Sequence, residues 1–197
     1  MSRVSGMGRP RNFETDTVVE RAMEEFWTRG YTGTSPAQLA AATGVAKGSL
    51  YHAFGSKRAL FDQALARYAQ MGVAQAEELL FQPGNAIDRI RVYLRETVDS
   101  DVAQPIRRGC LVVNTVAELG GHDAEIDRVL RGVEQSIVAV LAARIEQGRR
   151  DGDFGSDIDA RAAADFLLNT SVGLRIMGKT RDTEELYRII EVALTAL

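Results

Sequence analysis

Lys47, Ser49, Tyr51 and His52 crowd into one short run, Ala46-Lys47-Gly48-Ser49-Leu50-Tyr51-His52-Ala53. The Lys47 ammonium can donate to O6 or N7 of a guanine, and Ser49 can read a base or bond a phosphate. Gly48 between them lets a backbone come close to a base edge or a thymine methyl without side-chain hindrance. Enzyme chemistry has far less to draw on. The chain holds two histidines, His52 and His122, and one cysteine, Cys110. No HExxH, CxxC, nucleophile elbow or phosphate loop occurs, so no cofactor and no enzymatic activity are expected. His122 with Asp123, Glu125 and Asp127 offers metal-ligand types, but acids opening a helix are better explained by the helix dipole.

The elements that must position those donors are short helices. Ser35 suits an N-cap, Pro36 the first helical position and Gln38 the far side of a capping box. Leu39, Ala40 and Ala42 give that helix a small apolar face, and Gly44 fits the left-handed residue that ends it. A second helix is predicted from about Ala46 to Ala53, with Leu50 and Phe54 inward and the polar set outward. Upstream, Val18, Ala22 and Phe26 form one stripe of a first helix that stops before Gly30. Three helices with a glycine turn between the last two match a helix-turn-helix, whose second helix enters the DNA major groove with its N-terminal end at the bases.

The residue string is more specific than the pattern. Val18 to Tyr31, Thr34-Ser35, Gly44-Val45, Gly48-Ser49-Leu50-Tyr51 and Phe54-Gly55-Ser56-Lys57 closely resemble the DNA-binding signature of the TetR (tetracycline repressor) family of bacterial regulators. The likeness covers roughly residues 13–60. It departs at Ala46, where the family usually has serine, and at Arg58, where it usually has glutamate. The resemblance implies that Thr34, Ala46, Tyr51, His52 and Lys57 stand at positions that meet phosphates and set register. It also implies a homodimer on a palindromic operator, a body holding a small-molecule effector, and repression more than activation. Arg9 and Arg11, with Arg3, form a basic arm fit for a minor groove or, equally, a solubilising tail.

Charge is distributed to match. Residues 1–60 carry eight Lys and Arg against five Asp and Glu, a net +3, while residues 61–197 carry 16 against 22, a net −6. A positive head on an acidic body puts the attraction for phosphate at the helix-turn-helix. Met1–Asn12 is polar and basic, unlike a secretory leader, and no apolar run is long enough to span a bilayer. A single cysteine fits a reducing cytoplasm.

Beyond residue 60 only helical periodicity is visible, and no alternating strand pattern. An all-α fold of nine helices is predicted, with an arm (1–12), a helix-turn-helix head (13–56) and a regulatory and dimerisation body (57–197). An effector pocket is expected among Tyr93, Leu111, Asn114, Phe166 and Asn169. Asn114 and Asn169 are polar on apolar stretches, so they either hold a ligand or satisfy one another. Cys110 follows Arg107-Arg108-Gly109 near a helix N-terminus, a setting that lowers a thiol pKa, although free cysteine is more often a small buried apolar residue. The run Gly109-Cys110-Leu111 with Asn114 resembles a subgroup that includes electrophile-sensing repressors. In the helix after Asp157, the stripe Ala163, Phe166, Leu167, Thr170, Leu174 and Met177 is expected to face the body. A second stripe of Ala164, Leu168, Ser171 and Val172, with Tyr187 and Val192 of the last helix, is left for a partner copy.

Overall fold

The computed structural model describes residues 15–197. The basic arm with Arg9 and Arg11 lies outside the described residues. Among those described, every regular element is an α-helix: α1 (Thr15–Gly33), α2 (Pro36–Thr43), α3 (Lys47–Phe54), α4 (Lys57–Leu80), α5 (Ala86–Val102), α6 (Leu111–Leu119), α7 (Ala124–Asp151), α8 (Ala160–Met177) and α9 (Thr183–Leu194).

Local signals set most of the helix ends. The Ser35 hydroxyl accepts the Gln38 amide while the Gln38 side chain accepts the Ser35 amide, a complete capping box with Pro36 behind it. Gly44 takes the left-handed conformation that closes α2. Gly30, at φ 75°, breaks α1 before its last turn. Asn85, Asp123 and Asp159 cap α5, α7 and α8 with their side chains.

Two apolar clusters divide the interior. One joins α1, α2 and α3 through Ala22, Phe26, Leu39, Leu50 and Phe54 to Leu60, Phe61, Ala64 and Leu65 in the first half of α4. Leu111 of α6 and Ile126 and Leu130 of α7 complete it. The other gathers Ala76 and Leu80 from the far half of α4 with α5, α7, α8 and α9. Helix α4 is therefore shared, and the ends of α6 and α7 reach into the core of the head.

Arg58, the departure from the usual glutamate, ties the same parts together electrostatically. Its guanidinium pairs with Asp62 one turn on and with Asp123 at the start of α7. Bonding from Arg58, then from the Ile126 amide, holds the Asp123 carboxyl down to about 2 from the ordinary 3.8. A carboxylate with a lowered folded-state pKa contributes stability above its unfolded value and loses it as pH falls toward the folded one. Urea midpoints of wild type and Asp123→Asn are therefore expected to differ at pH 7 and to converge between about pH 4 and pH 2. A constant gap would refute this.

The face that α8 buries differs from the sequence expectation. Ala164, Leu167, Ser171 and Leu174 are buried, whereas Phe166 is 41% exposed and Asn169 is exposed. Both candidate stripes were apolar, and packing against α7 selects the second with Leu167 and Leu174. Tyr187 also turns inward, donating from its hydroxyl to Asp99 (2.5 Å) beneath the Arg95 guanidinium. Val192 stays outside at 70% exposure.

Candidate nucleic-acid interface and internal cavity

Helix α3 presents its residues as a reading helix requires. Leu50 and Phe54 are buried, while Lys47, Gly48, Ser49 and His52 are exposed and Tyr51 is half-buried. Ala46 is the N-cap and has no side-chain oxygen to close the helix start. The first amides of α3 are therefore open to an external acceptor. Burial, then the neighbouring Tyr31, raises the Tyr51 phenol, which remains a neutral donor. Lys57 opens α4 with its ammonium 4.4 Å above the Tyr31 ring, a cation–π contact within the head.

Gly48 is informative because nothing in the protein requires it. A Cβ there would meet no atom within 4 Å, yet glycine inside a helix costs roughly 0.5–1 kcal/mol relative to alanine. The absent side chain leaves room for close approach of an outside partner. Gly48→Ala is expected to raise thermal stability slightly while weakening DNA binding. A variant with full DNA affinity would contradict that role.

Thr34 does not belong with this group. It is buried, and its hydroxyl donates to the Gly30 carbonyl (2.6 Å), so its proton is used in ending α1 and not offered to a phosphate.

Behind the head, helices α1, α4, α5, α6, α7 and α8 enclose a cavity of about 420 Å³, within the range of small-molecule sites. Of the five pocket residues expected from sequence, only Tyr93 lines it. Leu111 is packed in the core of the head. Asn114 uses its amide to pin the loop before α6, donating to the Arg108 carbonyl (2.9 Å) and accepting from Lys179 (2.7 Å). Phe166 and Asn169 are on the outer side of α8. Cys110 is buried at the α6 N-cap and does line the cavity. Its two neighbouring guanidiniums turn elsewhere. Arg107 bonds the Gly178 and Arg181 carbonyls, and Arg108 pairs with Glu24 (2.6 Å). Arg175 of α8 lines the same cavity.

Trp27, Arg175 and Glu118 were not singled out in the sequence. Trp27 lines the cavity from α1, and its indole donates to the Gly109 carbonyl (2.9 Å) while Arg108 lies 3.9 Å over its ring. The Gly109 amide donates in turn to Asp101 (2.8 Å). Glu118 on α6 accepts the Tyr31 and Thr32 amides at 2.9 and 2.5 Å. Burial works to raise its pKa, but those bonds outweigh it and the carboxyl lies below its ordinary value. Cavity wall and head thus share direct hydrogen bonds. Two signals were available: a lone tryptophan in α1, and an arginine inside Leu174-Arg175-Ile176-Met177.

Comparison with known proteins agrees with this geometry. Residues 18–64 match the model for bacterial regulatory proteins of the tetR family, and residues 86–193 match that for the tetracyclin repressor-like C-terminal domain. The chain belongs to the TetR family. Like other TetR-family members it is a DNA-binding transcription regulator and not an enzyme. The chain is 32% identical to an uncharacterized HTH-type transcriptional regulator, YezE, of Bacillus subtilis (strain 168), over 97% of this chain and 100% of that one. It is 27% identical to the transcriptional repressor ComR of Escherichia coli (strain K12), over 96% and 90%. Among solved structures, the TetR-family regulator CifR, as a cysteine mutant bound to a 26-base-pair operator, superposes with a TM-score of 0.83. Its identity is 37%, covering 96% of this chain and 99% of CifR. Among the described residues no helix is long and apolar enough to cross a membrane.

Proposed function

We propose that this TetR-family regulator is a cytoplasmic homodimeric repressor that binds a palindromic operator through residues 13–56 and is released when residues 57–197 take up an effector. The observation that carries the reading is the shared wall: Trp27 of the head lines the cavity and is hydrogen-bonded to the loop that opens α6. A ligand that displaces Gly109 or Trp27 acts on α1, and through the common core on α2 and α3. It releases DNA only to the extent that it binds the DNA-incompetent arrangement more tightly. The relatives named as repressors support the sign of regulation.

Phe166 and Ile176 on α8 and Val192 on α9 are the large apolar residues that the fold leaves exposed on those helices, which suits a two-fold interface built from them. The basic arm, with Arg9 and Arg11, adds minor-groove or phosphate contacts beside Lys47, Ser49, Tyr51, His52 and Lys57.

Fluorescence anisotropy on operator and unrelated duplexes tests the assignment. Lys47→Ala is expected to weaken operator binding by roughly 1–3 kcal/mol and unrelated DNA much less, as a base contact requires. Tyr51→Phe and Lys57→Ala should weaken both about equally, because phosphates carry no sequence. Three variants that bind like wild type would overturn the reading.

A covalent switch is the second reading, favoured by the position of Cys110 on the cavity wall. It requires N-ethylmaleimide to release DNA from wild type and not from Cys110→Ser.

A further inference from the structure

Arg175 of α8 is half-buried and lines the cavity. Among the described residues it makes no hydrogen bond and no ion pair, and its neighbours act on it only through space. Arginine is not deprotonated in proteins, and of the groups around it Asp101 is the carboxylate that acts on it through space. It is therefore a permanent cation in a mostly apolar enclosure. Charges in such places are paired, because an unpaired one forfeits its hydration without compensation.

No carboxylate of the described residues reaches Arg175 as a direct hydrogen-bonded partner. Asp101 accepts the Gly109 amide with one oxygen, and its other oxygen is buried with no hydrogen-bond partner, outside pairing contact with Arg175. Glu24 is held by Arg108, and Glu134 is exposed on α7. The two phenols in the same wall, Tyr68 and Tyr93, are pushed up by burial, which outweighs the lowering effect of Arg175 on both. They stay protonated and add neutral donors beside the guanidinium. Away from this polar group the lining is apolar. Met71, Val116 and Ile176 are 53%, 41% and 54% exposed and line the same cavity, which makes an apolar path to solvent.

We propose that the cavity takes an apolar monocarboxylate, its carboxylate held by the Arg175 guanidinium and its hydrocarbon body running along Met71, Val116 and Ile176. A planar guanidinium matches a carboxylate with two parallel hydrogen bonds, which a point charge or neutral donor does not. The cavity size suits one medium-chain or aryl acid. This names the effector class for the regulator proposed above and rests on that reading.

The test uses the full-length protein and its single tryptophan, Trp27, which sits in the cavity wall. Its fluorescence is titrated with monocarboxylates from butyrate to dodecanoate, with benzoate and cinnamate, and with the primary alcohol of each. At least one acid is expected to bind saturably and at least tenfold more tightly than its alcohol. That preference should vanish in Arg175→Met. Gly72 lines the cavity and a side chain there would meet no protein atom within 4 Å, so Gly72→Leu should weaken acid and alcohol alike by filling the space. No bound acid, equal affinity for acid and alcohol in wild type, or a preference that survives in folded Arg175→Met would overturn the proposal. The wild-type comparison needs no variant to fold. Operator binding without any acid reports separately on the regulator reading, so failure of one is distinguishable from failure of the other.

Discussion

Replacing Phe26 by alanine is expected to destabilise the protein by about 3–5 kcal/mol, the range for removing a fully buried aromatic ring from a packed core. Phe26 has no exposed surface and lies between two other rings, 5.0 Å from Phe61 in edge contact and 6.3 Å from Tyr31. It belongs to the cluster that joins α1, α2 and α3 to the first half of α4 and to the ends of α6 and α7. The loss should therefore appear in two places. Urea unfolding should show a lower midpoint, and DNA binding should fall even where the chain remains folded, because α3 loses its seat. Alanine at the exposed Glu20, on the same helix, should stay within about 0.5 kcal/mol. If Phe26→Ala unfolds at the wild-type urea concentration, the shared core is not what holds the reading helix.

The second large effect concerns the proposed dimer. Phe166→Glu combined with Val192→Glu is expected to convert the protein to a monomer and to weaken operator binding by about 10²–10⁴-fold. That is the range by which linking two sites exceeds either alone. Both side chains are exposed on the single chain, so the substitutions leave its core intact. Size-exclusion chromatography with light scattering reads the mass, and circular dichroism confirms the helices. A double variant that remains a dimer would move the interface elsewhere.

The head was legible in the sequence because its signals are local. Ser35, Pro36, Gln38 and Gly44 fix the ends of α2 through bonds within a few residues, and the Leu50–Phe54 spacing fixes the inward face of α3. Thr34 was the exception. A position known only from the string could not show that its hydroxyl is used on Gly30. The body was less legible because its helices have more than one apolar stripe. Nothing in the order of residues 163–174 states which stripe meets α7, and Phe166 and Asn169 were lost to the pocket by that rotation. Arg175 shared the same problem in reverse. An arginine in a last turn reads as a partner of the helix dipole. Only the rotation of α8 turns it into an unpaired cation in a cavity. Asn114 was polar on an apolar stretch, as noted, but its amide holds the 105–110 loop instead of a ligand.

The most direct measurement is selection of duplexes from a random library by the purified protein, followed by anisotropy on the enriched sequence with wild type and Lys47→Ala. A two-fold symmetric motif is expected, bound more tightly than unrelated DNA, with affinity falling steeply as salt rises and discrimination reduced in the variant. Enrichment of no sequence, or of one bound equally well by Lys47→Ala, would contradict it.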